Sequence, residues 1–256
     1  MTSPIRCTTE SSGELRRIVF DRPKANILDS DMLAAIREHI ETLSDNPGPV
    51  KLLVFEGAGA NFSFGASVEE HLPEKVGCLL RQFHRLFWDL ERLSIPTAAV
   101  VRGQCLGGGF ELALWCGYVA CEPSARFAVP EIKLGVFPPV AAIALPWRVP
   151  GARSVQMILT GESLTGEEAA QCGVADRCCE NAEAALQEWF TERLQPRSAV
   201  SLRAAWRASR RLLTDSLRDD IGSLEKQYLN DLMSHHDPLE GLSAFLERRA
   251  PVWTNQ

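Results

Sequence analysis

Two glutamates stand in unusual company in this chain. Glu111 follows Gly107-Gly108-Gly109 inside the apolar run Phe110-Glu111-Leu112-Ala113-Leu114, and Glu131 lies in Phe127-Ala128-Val129-Pro130-Glu131-Ile132-Lys133-Leu134-Gly135-Val136-Phe137. An acid among apolar neighbours is either turned to solvent or held for proton transfer, because burial disfavours its charged form. Glycine costs about 1 kcal/mol relative to alanine inside a helix, so three in succession before an apolar helix mark a requirement. Bare N–H groups at a helix N-terminus suit a developing oxyanion. A second small-residue segment, from Gly57 to Ser67, lets the backbone approach a ligand closely. Two carboxylates beside an oxyanion hole make a complete acid/base site for a carbonyl-activated substrate. Sequence spacing alone does not bring Glu111 and Glu131 together. No G-x-G-x-x-G and no Walker lysine occurs, which disfavours dinucleotides and nucleotide phosphates.

The elements that must position these segments are readable in outline. Leu15 to Phe20 reads as a strand, and Leu33, Ile36, Ile40 and Leu43 recur at helical spacing before the breaker run Ser44 to Pro49. Val50 to Phe55 and Thr97 to Val101 are short apolar runs of the kind buried on both faces of a sheet. Between them, Val76, Leu79, Leu80, Phe83, Leu86, Phe87, Leu90 and Leu93 form the stripe of an amphipathic helix. This order predicts an α/β domain. Beyond about residue 150 strand signals fade and helices dominate. Thr165-Gly166-Glu167-Glu168 is a capping-box pattern, Gly173 ends its helix, and Asp237-Pro238 reads as a helix start with proline at the first position.

Composition sets the limits. The 256 residues are 45% hydrophobic and carry 27 Lys+Arg against 33 Asp+Glu, a net charge of −6. One large domain, or a domain with a helical appendage, is expected, without the basic field that draws proteins to nucleic acid or anionic membrane. The N-terminal Met1 to Arg6 is too polar for a signal peptide, and the uncharged stretch Leu134 to Trp147 is short and broken by three prolines. A cytoplasmic protein with no transmembrane helix is the expectation. The eight cysteines form no C-x-x-C pair and lie at no metal-ligand spacing with the five histidines, so buried thiols and no metal are expected.

Five segments together carry a resemblance. Arg22-Pro23-Lys24-Ala25-Asn26, Phe62-Ser63-Phe64-Gly65-Ala66-Ser67, Gly107-Gly108-Gly109-Phe110-Glu111-Leu112-Ala113, Pro130-Glu131-Ile132-Lys133-Leu134-Gly135, and Glu240 to Arg249 resemble the enoyl-CoA hydratase (crotonase) family. They run in the family's order over nearly the whole chain. The resemblance implies an α/β crotonase-like spiral of ββα turns in residues 1–200 and a C-terminal helical trimerisation region in 201–256. It also implies a homotrimer or dimer of trimers acting on an acyl-CoA thioester, with CoA as part of the substrate and no separate cofactor. The backbone N–H groups of Ala66 and Gly108 match the pair that holds the thioester oxygen. Glu131 matches the proton donor to carbon, and Glu111 the partner that orients or deprotonates water. Lys24, Ala25 and Phe64 match loops that meet the CoA adenine and ribose, and Phe245 and Arg248 match positions that reach CoA from another subunit.

The chain departs from the common hydratases at two points. Ser67 stands where an acid is usual, and Phe137-Pro138-Pro139 replaces a glycine-rich stretch, so that Pro139 has no amide to offer water or substrate. The combination of Phe-Gly-Ala-Ser-Val-Glu-Glu-His with Glu-Ile-Lys-Leu-Gly-Val-Phe is similar to the hydratases of cyclohexa-1,5-diene-1-carbonyl-CoA in anaerobic benzoyl-CoA degradation, which implies 1,4 addition of water to a cyclic dienoyl thioester. Straight-chain enoyl-CoA hydration and double-bond isomerisation are the alternatives on the same fold. A non-catalytic or RNA-binding homologue is the alternative of another class, resting on Arg203, Arg207, Arg210, Arg211 and Arg218, for which a solvated or intersubunit helix face is the plainer reading. Among the histidines, only His71 lies in a loop near the expected acyl site.

Overall fold

The computed structural model describes residues 3–256. The chain opens with an antiparallel pair, β1 (Ile5–Glu10) and β2 (Leu15–Phe20), followed by α1 (Ser30–Asp45), whose first turn is capped by the Asp29 side chain accepting from the Met32 N–H at 2.9 Å. Then come β3 (Leu52–Gly57), α2 (Pro73–Leu93) and β4 (Thr97–Val101). The apolar stripe of α2 is buried as its spacing predicts. Next are β5 (Gln104–Leu106), α3 (Gly108–Trp115), β6 (Tyr118–Cys121), β7 (Arg126–Ala128), α4 (Pro139–Ala144) and α5 (Gly151–Thr160). The last part holds β8 (Leu164–Thr165), α6 (Gly166–Cys172), β9 (Arg177–Cys178), α7 (Ala182–Trp189), α8 (Ala199–Lys226) and α9 (His236–Leu246).

The strands make two sheets. In the larger, ordered β1-β2-β3-β4-β6-β9, every pairing after the first is parallel. The smaller runs β5-β7-β8, with β5 parallel to β7. Parallel strands end side by side, and ligands gather at their carboxyl ends. The small-residue loop follows β3. The glycine run follows β5, and Pro130–Leu134 follows β7 as a 3-10 turn. Because Leu106 pairs with Ala128, and the Gly107 N–H donates to the Ala128 carbonyl at 2.9 Å, the two acidic segments leave the small sheet together.

The capping box at Thr165 is formed in full, with the Glu168 N–H bonded to Thr165 Oγ1 at 3.1 Å and the Thr165 N–H to Glu168 Oε2 at 2.8 Å. Two expectations need correction. Helix α9 starts at His236, so Pro238 is third rather than first, a place where its missing N–H is equally harmless. The Asp237 carboxylate instead accepts from the amides of Thr254 and Asn255, both at 2.8 Å, and ties down the C-terminal tail. Helix α8 starts at Ala199, next to the division expected after residue 200, and packs on α2 and α4. Of the thiols, Cys105, Cys116 and Cys121 are buried as expected, whereas Cys7 and Cys78 are exposed. Among the described residues no helix is long and apolar enough to cross a membrane.

Candidate active site

A cleft of about 810 Å³ opens where the loops after β3, β5 and β7 meet. Its size suits a small organic group bound through apolar walls and a few polar ones. Ala25, Phe64, Ala66, Gly108, Glu111, Glu131, Pro139 and Phe245 all line it. Lys24 and Arg248 are exposed and do not. The cations on the lining are Lys133 and Arg249. Arg249 is committed to Glu240 and Glu247, while Lys133 has no ion-pair partner among the described residues. Phe245, expected to reach a neighbouring subunit's CoA, here borders the cleft of its own chain.

Two backbone amides lie close together on the cleft lining. A Cβ on Gly108 would lie 3.3 Å from the Ala66 nitrogen, and among the described residues neither the Ala66 nor the Gly108 N–H donates a hydrogen bond. Gly108 opens α3, so its amide is one of the groups a helix leaves unpaired at its start. Gly107, just before it, has φ +48°, and a Cβ there would sit 2.6 Å from Glu131 Oε1. Only glycine allows both that backbone turn and the approach of the carboxylate.

Glu111 lies one turn into α3 and is buried. Its Oε1 accepts the Ala141 N–H at 2.7 Å, and the Val140 amide also favours its ionised form. Burial is the larger effect and pushes its pKa up to about 7. Pro139 therefore occupies the first position of α4, where no N–H is needed, and the next two amides serve Glu111. The amide lost at Pro139 is thus one neighbour away from those that hold the acid. Glu131, on its 3-10 turn, is raised well above the usual carboxylate range by burial and then by the Glu111 charge, and its Oε2 has no partner. Two acids in one site with environments that separate their proton affinities provide one base and one acid near neutrality.

The walls beside the acids are apolar: Leu79, Leu80, Phe83, Val136 and Phe137. His71 borders them with Nδ1 at 2.7 Å from the Ser67 carbonyl, so Nδ1 donates, and burial holds the ring's pKa below the ordinary histidine value. Tyr228 also lines the cleft, and the sequence reading missed it. It lies in the polar stretch Lys226-Gln227-Tyr228, and the only clue was the rarity of tyrosine, which occurs twice.

Of the arginine series on α8, Arg207 is exposed with no ion-pair partner among the described residues, and the other four are engaged. Arg203 donates to the carbonyls of Pro47, Gly48 and Val50, Arg210 is buried against Glu91, and Arg211 and Arg218 both pair with Asp215. Among the described residues no cluster of three or more His, Cys, Asp or Glu could hold a metal ion.

Known proteins resemble this one throughout. The family profile for enoyl-CoA hydratase/isomerase matches residues 10–256. Cyclohexa-1,5-dienecarbonyl-CoA hydratase of Thauera aromatica is 39% identical, covering 100% of this chain and 98% of the relative. Carnitinyl-CoA dehydratase of Salmonella typhi is 31% identical over 94% of this chain and 95% of its own. Among solved structures, an enoyl-CoA hydratase from Mycobacterium avium subsp. paratuberculosis K-10 superposes with a TM-score of 0.86 at 26% identity, covering 99% of this chain and 100% of that one.

Proposed function

The chain belongs to the enoyl-CoA hydratase/isomerase family, and from that membership we propose that it adds water to a cyclic conjugated dienoyl-CoA thioester of the cyclohexa-1,5-diene-1-carbonyl type. The observation that carries the reading is the convergence of Glu111, Glu131 and the free Ala66 and Gly108 amides in one apolar cleft. The full-length likeness to the Thauera hydratase supports the ring substrate, as do walls built from Leu80, Phe83, Val136 and Phe137.

In this mechanism the thioester oxygen accepts from the Ala66 and Gly108 amides. Ionised Glu111 takes a proton from water as the oxygen bonds to the β carbon, and the π electrons move into a dienolate. Neutral Glu131 then gives its proton to the far end of the dienolate, leaving a double bond conjugated with the carbonyl. One water is consumed and the net proton count is unchanged once the two acids exchange a proton. Loss of one oxyanion donor costs about 10²- to 10³-fold in rate in other enzymes, so the two amides carry much of the catalysis. CoA is substrate in this reading, and Lys133 on the cleft lining is the unpaired cation available to its phosphates. A homotrimer or dimer of trimers is part of the proposal, supported by exposed apolar side chains at Trp147, Val155, Leu159 and Leu212.

The test is a panel of cyclic dienoyl-CoA, crotonyl-CoA and a β,γ-unsaturated thioester, followed by absorbance and product mass. Gain of one water on the cyclic dienoyl thioester is expected. Preference for crotonyl-CoA would give the straight-chain reading, and migration of the double bond without mass gain would give the isomerase. Light scattering of the purified protein checks the assembly.

A further inference from the structure

Tyr228 enters the cleft from the end of α8, where the helix widens into a π-wound turn over Gln227–Asp231. Such turns recur at functional sites. The side chain is 1% exposed, and its ring packs on Phe137, Val76, Leu80 and Val136. The hydroxyl is different: it is buried with no hydrogen-bond partner among the described residues, and Glu131 Oε2 in the same cleft is also unpartnered. An unpaired buried hydroxyl is destabilising, and phenylalanine would fill the same space without it. With 11 phenylalanines against 2 tyrosines, this chain uses phenylalanine as its usual aromatic filler. Burial first, then the charges of Glu131 and Glu111, raise the phenol's pKa, so the group stays a donor. It is bonded to neither carboxylate.

We infer that Tyr228 contacts the substrate: its hydroxyl donates a hydrogen bond to the oxygen that joins the acyl group, first as water and then as the product hydroxyl. The proposal rests on the hydratase reading. Tyr228 transfers no proton in it; the hydrogen bond selects for oxygen at the β carbon and steadies that oxygen between the two acids.

The experiment compares wild type and Tyr228→Phe in calorimetric binding of 2-hydroxycyclohexanecarbonyl-CoA and cyclohexanecarbonyl-CoA, which differ by one hydroxyl. Wild type is expected to prefer the hydroxylated thioester roughly tenfold and Tyr228→Phe to lose that preference, the scale of one hydrogen bond. The variant's kcat/KM for hydration falls about as much, with both limbs of its pH profile unmoved. Equal affinity of wild type for the two thioesters overturns the inference without any variant, even if Tyr228→Phe fails to fold. A preference retained in Tyr228→Phe, or a displaced pH limb showing action through Glu131, also overturns it. Binding needs no turnover, so this result is separate from the substrate panel, where absence of any hydration overturns the hydratase reading itself.

Discussion

The Glu111 carboxylate and the Ala141 amide are joined by a 2.7 Å hydrogen bond across 30 residues of sequence. That bond, with the neighbouring Val140 amide, favours the ionised form of a buried acid. Burial raises its pKa to about 7, and the two amides keep it from rising further. The pair therefore links the start of α4 to the proton chemistry of α3.

A pH profile of hydration follows from this arrangement. Glu111 acts as base only when ionised, so kcat rises with pH through about 7. Glu131 acts as acid only while protonated, so activity falls again as pH rises through its raised pKa. Initial rates from about pH 5 to about pH 10 are expected to trace a bell, whose limbs report the pair. Activity that is independent of pH on the acid side would remove Glu111 from the role of base.

Glu111→Gln trades function for stability. The folded pKa of about 7 exceeds the ordinary 4.5, so the folded state binds more protons than the unfolded one between those values. Stability from this group is present below pH 4.5 and is lost as pH rises through about 7, by about 3 kcal/mol in all. A neutral glutamine avoids that loss. We expect kcat to fall by about 10²- to 10⁴-fold, and thermal melts to show a stabilised variant at pH 8 whose gain shrinks toward pH 5. Equal stability of the two proteins at pH 8 would contradict the buried charge.

Gly107→Ala tests the turn between the oxyanion amide and the acid. The new Cβ would press on Glu131 Oε1 from 2.6 Å, at a φ of +48° that alanine rarely adopts. Displacement of Glu131 by even about 1 Å can cost roughly 10²-fold in rate. Expected is a loss of that order in kcat, together with lower thermal stability. Normal kcat in a folded variant would show that Glu131 has room to move without consequence.

How much of this was legible in the sequence depended on element length and on distance along the chain. The stripe of α2 and the runs of β3 and β4 were readable because each repeats its pattern over five residues or more. Strand β1 was not, since Ile-Arg-Cys-Thr-Thr-Glu is exposed along most of its length and shows no apolar alternation. Strands β5 and β7 have three residues each, too few for a period, yet their parallel pairing is what brings Glu111 beside Glu131. The resemblance supplied the acids and the amides; Tyr228 lay outside it, because its approach to Glu131 spans most of the C-terminal half and leaves no local mark. The sequence shows that Pro139 has no amide to offer, and the structure adds that the next two amides, of Val140 and Ala141, serve Glu111.

That last point separates two substitutions at one position. Pro139 begins α4, where its fixed φ suits the helix and its absent N–H leaves nothing unpaired. Pro139→Ala keeps a helix former there and leaves the Val140 and Ala141 amides in place, so the acid limb of the pH profile should not move. The cost is a freer unfolded chain, about 0.4–1 kcal/mol of stability in denaturant titrations. Pro139→Gly adds a further cost of about 0.5–1 kcal/mol and loosens the turn that mounts both amides. With less support for ionised Glu111, its pKa rises above about 7 and the acid limb shifts toward higher pH. Rates measured across pH for both variants decide the matter. If Pro139→Ala moves the limb as far as Pro139→Gly, the proline ring itself, rather than the amides behind it, sets the environment of Glu111.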